Sequence, residues 1–94
     1  MSEQRCQVSG ELDSANANEL RTQLLSIVRE THDDLVVDCD DLSFIDKFGI
    51  GVFTSVSSLL AREDRRFRVV NLHGYARRKV ERLGLMELLA VESA

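Results

Sequence analysis

The sequence contains no proline or tryptophan and only two cysteines and two histidines. Two cysteines are too few for a disulfide framework, and neither belongs to a CxxC motif. We expect Cys6 and Cys39 to be small hydrophobic residues on strands, with a redox pair as the alternative. Because His32 and His73 lie far apart in the sequence, no zinc site is expected, and the sequence predicts no other cofactor.

Long apolar runs are also absent. No stretch approaches the ~20 apolar residues that span a bilayer, and no basic-then-apolar leader opens the chain. We therefore expect a cytoplasmic protein without direct membrane insertion. The chain has no repeats or low-complexity tracts, and its 94 residues predict a single domain over residues 1–94.

Basic residues are scarce in the first half of the chain. Residues 1–46 contain eleven acidic residues and three arginines, whereas residues 47–94 contain nine basic and five acidic residues. The overall charge of −4 therefore divides into −8 for the first half and +4 for the second. Net acidity argues against nucleic acid as a partner. The asymmetry favours either a surface that orients a protein partner or an ordinary solvated surface.

Hydrophobic periodicity predicts strands that alternate with helices. Period-two alternation and one short apolar run predict strands over residues 3–9, 35–39 and 67–72. Apolar residues at three- and four-residue spacing predict helices over residues 15–31, 48–62 and 75–83. A short C-terminal helix over residues 85–89 is expected to close the core. This order, β-α-β-α-β-α, indicates a small α/β domain with helices packed on a mostly parallel sheet.

The polar residues between these elements predict turns and caps. Residues 10–13 and 40–42 are expected to be turns, and Ser14 is the best candidate for the N-cap of the first helix. In the third helix, Leu83 is expected to face the core with Ala76 and Val80, and Gly84 is expected at the C′ position.

Residues 42–53 change from a strand pattern to a helical pattern at one tight turn. In open α/β folds such a turn lies at the carboxyl edge of the sheet, where sites form. We expect capping roles for Asp46 before the second helix and for Asp13 beside the first, which does not exclude contact of either residue with a partner. Gly49-Ile50-Gly51 lacks the third glycine and the lysine of phosphate-binding loops. Because no catalytic constellation is evident either, the protein is not expected to be an enzyme.

Three sequence blocks carry a family resemblance. They are Gly10-Glu11-Leu12-Asp13, then Leu42-Ser43-Phe44-Ile45-Asp46 followed by Gly49-Ile50-Gly51-Val52, and finally Leu83-Gly84-Leu85. In this order and spacing the chain resembles the STAS domain of bacterial anti-sigma-factor antagonists, and the middle block is the specific one. The resemblance implies a non-enzymatic domain, with a mostly parallel or mixed sheet of about four strands, that binds a kinase-type anti-sigma factor.

In that family the partner phosphorylates a serine directly after the aspartate of the middle block, which abolishes binding. Here Lys47 occupies the phospho-acceptor position and Phe48 the next hydroxyl position. Lysine neither accepts a phosphate ester nor mimics one, since it is a cation. Lys47 is then either a solvated lysine beside Asp46 or part of a permanently unphosphorylated contact surface. Phe48 either packs into the core or stands exposed as an aromatic anchor.

The resemblance leaves two functions open. The leading hypothesis is an anti-sigma-factor antagonist whose partner-binding residues are Asp13, Asp46, Lys47, Phe48, Gly49 and Ile50. The alternative is a fixed STAS subunit of a larger complex, either a lipid ABC transporter or a stress-signalling scaffold, where no phosphorylation is needed. The N-terminus is short by about one strand compared with typical members. Without that strand, one edge of the sheet would be exposed and could pair two chains into a homodimer.

Overall fold

The computed structural model describes residues 2–92, which form three strands and three helices in alternation. The strands are β1 (Glu3–Leu12), β2 (Asp34–Ile45) and β3 (Phe67–Val70). The helices are α1 (Ala17–Glu30), α2 (Lys47–Ala61) and α3 (Gly74–Arg82). The predicted α/β class and the predicted element order are therefore confirmed. None of the helices in residues 2–92 has the length and apolar content that crossing a membrane requires.

The sheet has the strand order β1-β2-β3, and both strand pairings are parallel. Within residues 2–92 there are thus three strands rather than about four. After α3 the chain returns to the outer side of β3, where Val91 forms a single parallel bridge with Val69. Residues 86–90 before this bridge form turns instead of the predicted helix, although Leu89 does close the core and is fully buried.

Helices α1 and α2 cover one face of the sheet. Both crossovers step in the same direction along the sheet, and the right-handed rule for such connections puts their helices on the same face. Alternate strand side chains join the apolar stripes of the helices in one core. The strand members of this core include Cys6, Val8, Leu35, Val37, Cys39, Phe67 and Val69. Both cysteines are free and buried.

The opposite face of the sheet is covered by charged side chains. Val36 and Val70 are buried on this face but lie outside the main core. In the strand register, Val36 lies between Arg5 of β1 and Arg68 of β3. Long basic side chains can shield apolar surface with their stems while their charged ends stay hydrated, and Arg68 forms an ion pair with Glu3.

Asp38 is the centre of the polar network on that face. The Asn71 side-chain amide and the Arg5 guanidinium donate to its carboxylate at 3.0 and 2.8 Å, and the Asp40 backbone N–H donates at 3.0 Å. These bonds, with the Asn71 bond as the largest contribution, hold the pKa of Asp38 below its ordinary value. The folded structure therefore favours the ionised form of Asp38.

Strands β1 and β2 are longer than predicted. Most of residues 10–13 and all of residues 40–42 belong to strands, because pairing continues to Leu12 and Ile45. Register shifts interrupt this pairing twice, between Gln7 and Ser9 and between Gly10 and Glu11. Asp40 and Asp41 are both exposed although they belong to β2, so the expectation of a turn over residues 40–42 was wrong.

The predicted start of α1 and the predicted end of α3 also differ from the structure. Helix α1 begins at Ala17 rather than beside Ser14, because the Asp13 carboxylate accepts the Ala15 N–H and residues 14–16 form a turn. Leu83 is half exposed rather than inward-facing, since α3 ends one residue earlier. Gly84 takes φ +70° at the predicted C′ position, and Leu85 then packs against the core in place of Leu83.

Candidate protein-binding site

The carboxyl ends of β1 and β2 bring two turns together. Leu12 and Ile45 are partners in the register, and the Asp46 N–H donates to the Leu12 carbonyl at 3.1 Å. The turn after β1 therefore lies beside the turn that starts α2. Asp13 follows Leu12 directly, so the two predicted acidic positions stand at one edge of the sheet.

Asp46 caps α2 as the sequence predicts. Its backbone is extended, with φ −113° and ψ −173°, and its Oδ1 accepts the N–H groups of Phe48 and Gly49 at 2.9 and 3.2 Å. Its carbonyl accepts the Ile50 N–H at 3.0 Å. Three donors of the first turn are thereby satisfied, which fixes the direction in which the first side chains of α2 leave the helix.

The Asp13 turn is held by reciprocal bonds. The Asp13 N–H donates to Asn16 Oδ1 at 2.9 Å, and the Asp13 carbonyl accepts the N–H groups of Asn16 and Ala17 at 3.2 and 2.8 Å. The Asn16 amide also donates to the Glu11 carbonyl at 2.6 Å. Asp13 thus organises the turn before α1 and does not cap the helix end itself.

Gly49 allows α2 to approach the sheet closely. A Cβ atom at this position would lie 2.6 Å from Leu12 Cγ and 2.9 Å from Ile45 Cγ1. Real Cβ atoms do not come this close to neighbouring atoms, so a side chain here would push α2 away from both strands. Gly49 and the neighbouring Ile50 are buried. Both were predicted as contact residues, but they pack beneath the exposed start of α2.

Lys47 and Phe48 point outward at the start of α2. Phe48 is 51% exposed, so of the two alternatives it stands exposed and does not pack into the core. The Lys47 ammonium lies 5.3 Å from the centroid of the Phe48 ring, within range of a cation–π interaction. Within residues 2–92 Lys47 forms no ion pair, with Asp46 or any other acid. We call Asp13, Asp46, Lys47 and Phe48 the α2-turn surface.

An aromatic pair near this surface was not predicted from the sequence. Phe44 and Tyr75 stack with ring centroids 5.2 Å apart and planes 9° from parallel. Phe44 precedes Asp46 by two residues, and Tyr75 is half exposed at the start of α3. His73 Nε2 lies 2.7 Å from the Asp40 carbonyl, which anchors the start of α3 beside β2. Phe44 and Tyr75 are far apart in the sequence, so no local sequence pattern could have predicted that they stack.

The α2-turn surface presents side chains that can contact another molecule. It combines an exposed aromatic ring, a cation and two acids on turns fixed by backbone hydrogen bonds. Within residues 2–92 no group of three or more His, Cys, Asp or Glu side chains is placed to hold a metal ion.

Comparison with known proteins identifies the family. The profile of the STAS domain matches residues 5–94. The chain belongs to the STAS-domain family. An anti-sigma-B factor antagonist of Staphylococcus aureus (strain NCTC 8325 / PS 47) is 27% identical to this STAS domain over 84 residues, which are 89% of this chain and 78% of the relative.

Two solved structures resemble this STAS domain. The crystal structure of an anti-sigma factor antagonist from Mycobacterium paratuberculosis matches with a TM-score of 0.87 at 26% identity, over 98% of this chain and 78% of that one. The inward-facing murine anion transporter Slc26a9 matches with a TM-score of 0.80 at 20% identity. That match covers 95% of this chain but 16% of the transporter, so it shows a shared fold alone.

Proposed function

We propose that this STAS domain is a non-enzymatic regulator that binds a kinase-type anti-sigma factor through the α2-turn surface. The class of function is supported by the relatives from S. aureus and M. paratuberculosis, whose names are those of antagonists. The observation that carries the proposal is Phe48, an aromatic ring left 51% exposed at a rigidly capped helix start. Aromatic side chains, phenylalanine included, are enriched in the cores of protein–protein interfaces.

The proposed regulator works without the serine switch of its family. Lys47 stands at the position where the resemblance places the phospho-acceptor, and its ammonium carries no ester-forming oxygen. Phosphorylation would add roughly two negative charges, whereas lysine is a cation. Binding is then set by the abundance of this protein or by another signal.

Binding measurements with purified anti-sigma kinases of the host test the contact surface. We expect Phe48→Ala to weaken binding about tenfold or more, as the loss of a hot-spot ring does. Leu83→Ala is the matched control, because Leu83 has similar exposure at the end of α3 and should leave affinity unchanged. Equal effects of the two substitutions would remove the α2-turn surface from the proposal.

Incubation with the same kinases and ATP, followed by intact-mass analysis, tests the missing switch. The wild-type chain should remain unmodified, and Lys47→Ser should gain one phosphate. Stoichiometric phosphate on Ser43 or Ser55 of the wild type, accompanied by weaker binding, would show that a different residue replaces the family serine.

A second candidate is a fixed STAS subunit of a lipid ABC transporter or a stress-signalling scaffold. The specific observation in its favour is again Lys47, since a permanent component needs no phosphorylation switch. Affinity capture from the host distinguishes the two functions. A kinase-like anti-sigma factor supports the first, and a transporter ATPase or scaffold protein supports the second.

The free side of β1 supports homodimer formation as part of this proposal. Within residues 2–92 β1 pairs with β2 alone, which leaves its other edge without a partner strand. Unpaired N–H and C=O groups on such an edge can pair with a second chain. Light scattering at high protein concentration should then report a dimer, and a monomer would count against edge pairing.

A further inference from the structure

A groove between α1 and α2 lies apart from the α2-turn surface. It has a volume of about 450 Å³, and α1 contributes Arg21 and Leu25 to its walls. The other wall comes from α2, chiefly Ser55, Ser58 and Leu59, and from Arg62 directly after the helix. The earliest α2 residue in the groove, Thr54, is seven positions after Lys47, or about 10 Å along the helix. The volume lies within the range of small-molecule sites, roughly 300–1,000 Å³.

The charge of this groove is opposite to that of the whole chain. Arg21 and Arg62 line it, no acidic side chain does, and the chain as a whole carries −4. Arg5, Arg65, Arg68 and Arg77 are each engaged with a carboxylate. In contrast, neither Arg21 nor Arg62 forms an ion pair with another residue in 2–92. Two guanidinium groups without counter-charges therefore flank one concave surface.

The rest of the lining combines free hydroxyl groups with an apolar floor. Ser55 and Ser58 are three residues apart and so lie on one side of α2. Their hydroxyl groups form no side-chain hydrogen bond among residues 2–92, whereas the neighbouring Thr54 hydroxyl donates to the Gly51 carbonyl. Leu25 and Leu59 are half-buried and supply apolar contact. The groove thus offers donors for an anion beside a surface for a short hydrocarbon chain.

We propose that the α1–α2 groove binds a small amphiphilic anion, a carboxylate or phosphate head group joined to a short aliphatic chain. The planar guanidinium groups match either head group through paired N–H donors, and the serine hydroxyls add further donors. Leu25 and Leu59 receive the chain. This site is independent of the anti-sigma-factor proposal, because it shares no residue with the α2-turn surface.

Amide chemical-shift titrations by NMR test the site with defined probes. Octanoate and octyl phosphate present the two head groups on one chain length, octylamine reverses the charge, and inorganic phosphate omits the chain. We expect saturable shifts at Ser55 and Ser58 with octanoate, octyl phosphate or both, and the stronger of the two identifies the head group. Octylamine and inorganic phosphate should bind at least about tenfold more weakly.

Matched arginine variants complete the test. The double variant R21Q/R62Q should weaken binding of the preferred octyl anion about tenfold or more. The control R29Q removes an exposed arginine of α1 that does not line the groove, and it should leave affinity unchanged. The three arginines are exposed, so the variants should keep the wild-type spectrum. Absence of saturable shifts, equal binding of octylamine or inorganic phosphate, or an equal loss in R29Q would overturn the proposal.

Discussion

At the scale of single residues, Gly49 and Gly51 should respond oppositely to the same substitution. Gly49→Ala would place a methyl group 2.6 Å from Leu12, so we expect a loss of about 1–3 kcal/mol in the free energy of unfolding. Gly51 lies in the same helix, but a Cβ atom there would have no neighbouring atom within 4 Å outside the helix's own backbone. The higher helix propensity of alanine in Gly51→Ala should therefore stabilise the fold by up to about 1 kcal/mol. Urea denaturation of both variants measures the two changes.

These two variants serve as controls for each other, because both add one methyl group to α2. If Gly49→Ala were as stable as the wild type, α2 would not approach the sheet as closely as described. If it destabilised the fold while Phe48-dependent binding stayed intact, the close approach would serve the core alone. A joint loss would connect the position of α2 with the α2-turn surface.

At the scale of elements, Arg65 joins the end of α1 to the start of β2. Its guanidinium is largely buried and donates to the carbonyls of Val28, Thr31 and Asp33 at 3.1, 3.0 and 3.0 Å. We expect Arg65→Lys to lower the free energy of unfolding by about 1.5–3 kcal/mol, because one ammonium cannot reach all three acceptors. Urea denaturation measures the loss.

The neighbouring Arg66 provides the matched control for Arg65. The Arg66 side chain is exposed and makes no hydrogen bond within residues 2–92, although its backbone N–H donates to Asp34. Arg66→Lys should therefore change stability by less than about 0.5 kcal/mol. Indistinguishable stabilities of the two lysine variants would mean that the buried guanidinium contributes little to the junction.

The elements also show which sequence signals are reliable. The C-terminal ends of α1 and α2 were predictable, since polar residues follow a clear apolar stripe, and so was the start of α2, where Asp46 is a strong cap. The strand ends were not, because exposed Asp40 and Asp41 resemble turn residues when the pairing with β1 is unknown. The role of Arg65 depends on contacts distant in sequence, so no local pattern could predict it.

At the scale of the whole molecule, the topology accounts for what could be predicted of the site. Parallel strands end at the same edge, so the proximity of the Asp13 and Asp46 turns follows from the strand order once the fold is known. The exposure of Phe48 was not predictable, because a first-turn residue can face either way. The α1–α2 groove was equally hidden, since its lining residues come together only when two separate helices pack against each other.

The fully buried thiol of Cys39 should make the whole fold sensitive to alkaline pH. Burial is the main cause that raises the pKa of Cys39 from 9.0 to about 12, and the nearby Asp38 and Cys6 add to the shift. The folded state therefore keeps the proton between pH 9 and 12, while the unfolded state releases it. This contribution to stability is complete below pH 9 and is lost as the pH rises towards 12.

Urea denaturation of the reduced protein at several pH values from 7 to 11 measures this effect. We expect Cys39→Ala to flatten the alkaline decline, to which one thiol contributes at most about 1.4 kcal/mol per pH unit. Val37→Ala is the control, because Val37 is equally buried on β2 and does not titrate. Both variants should lose stability at pH 7 through the cavities they create. Only Cys39→Ala should change the slope, and parallel pH profiles for the two variants would show that another group controls alkaline unfolding.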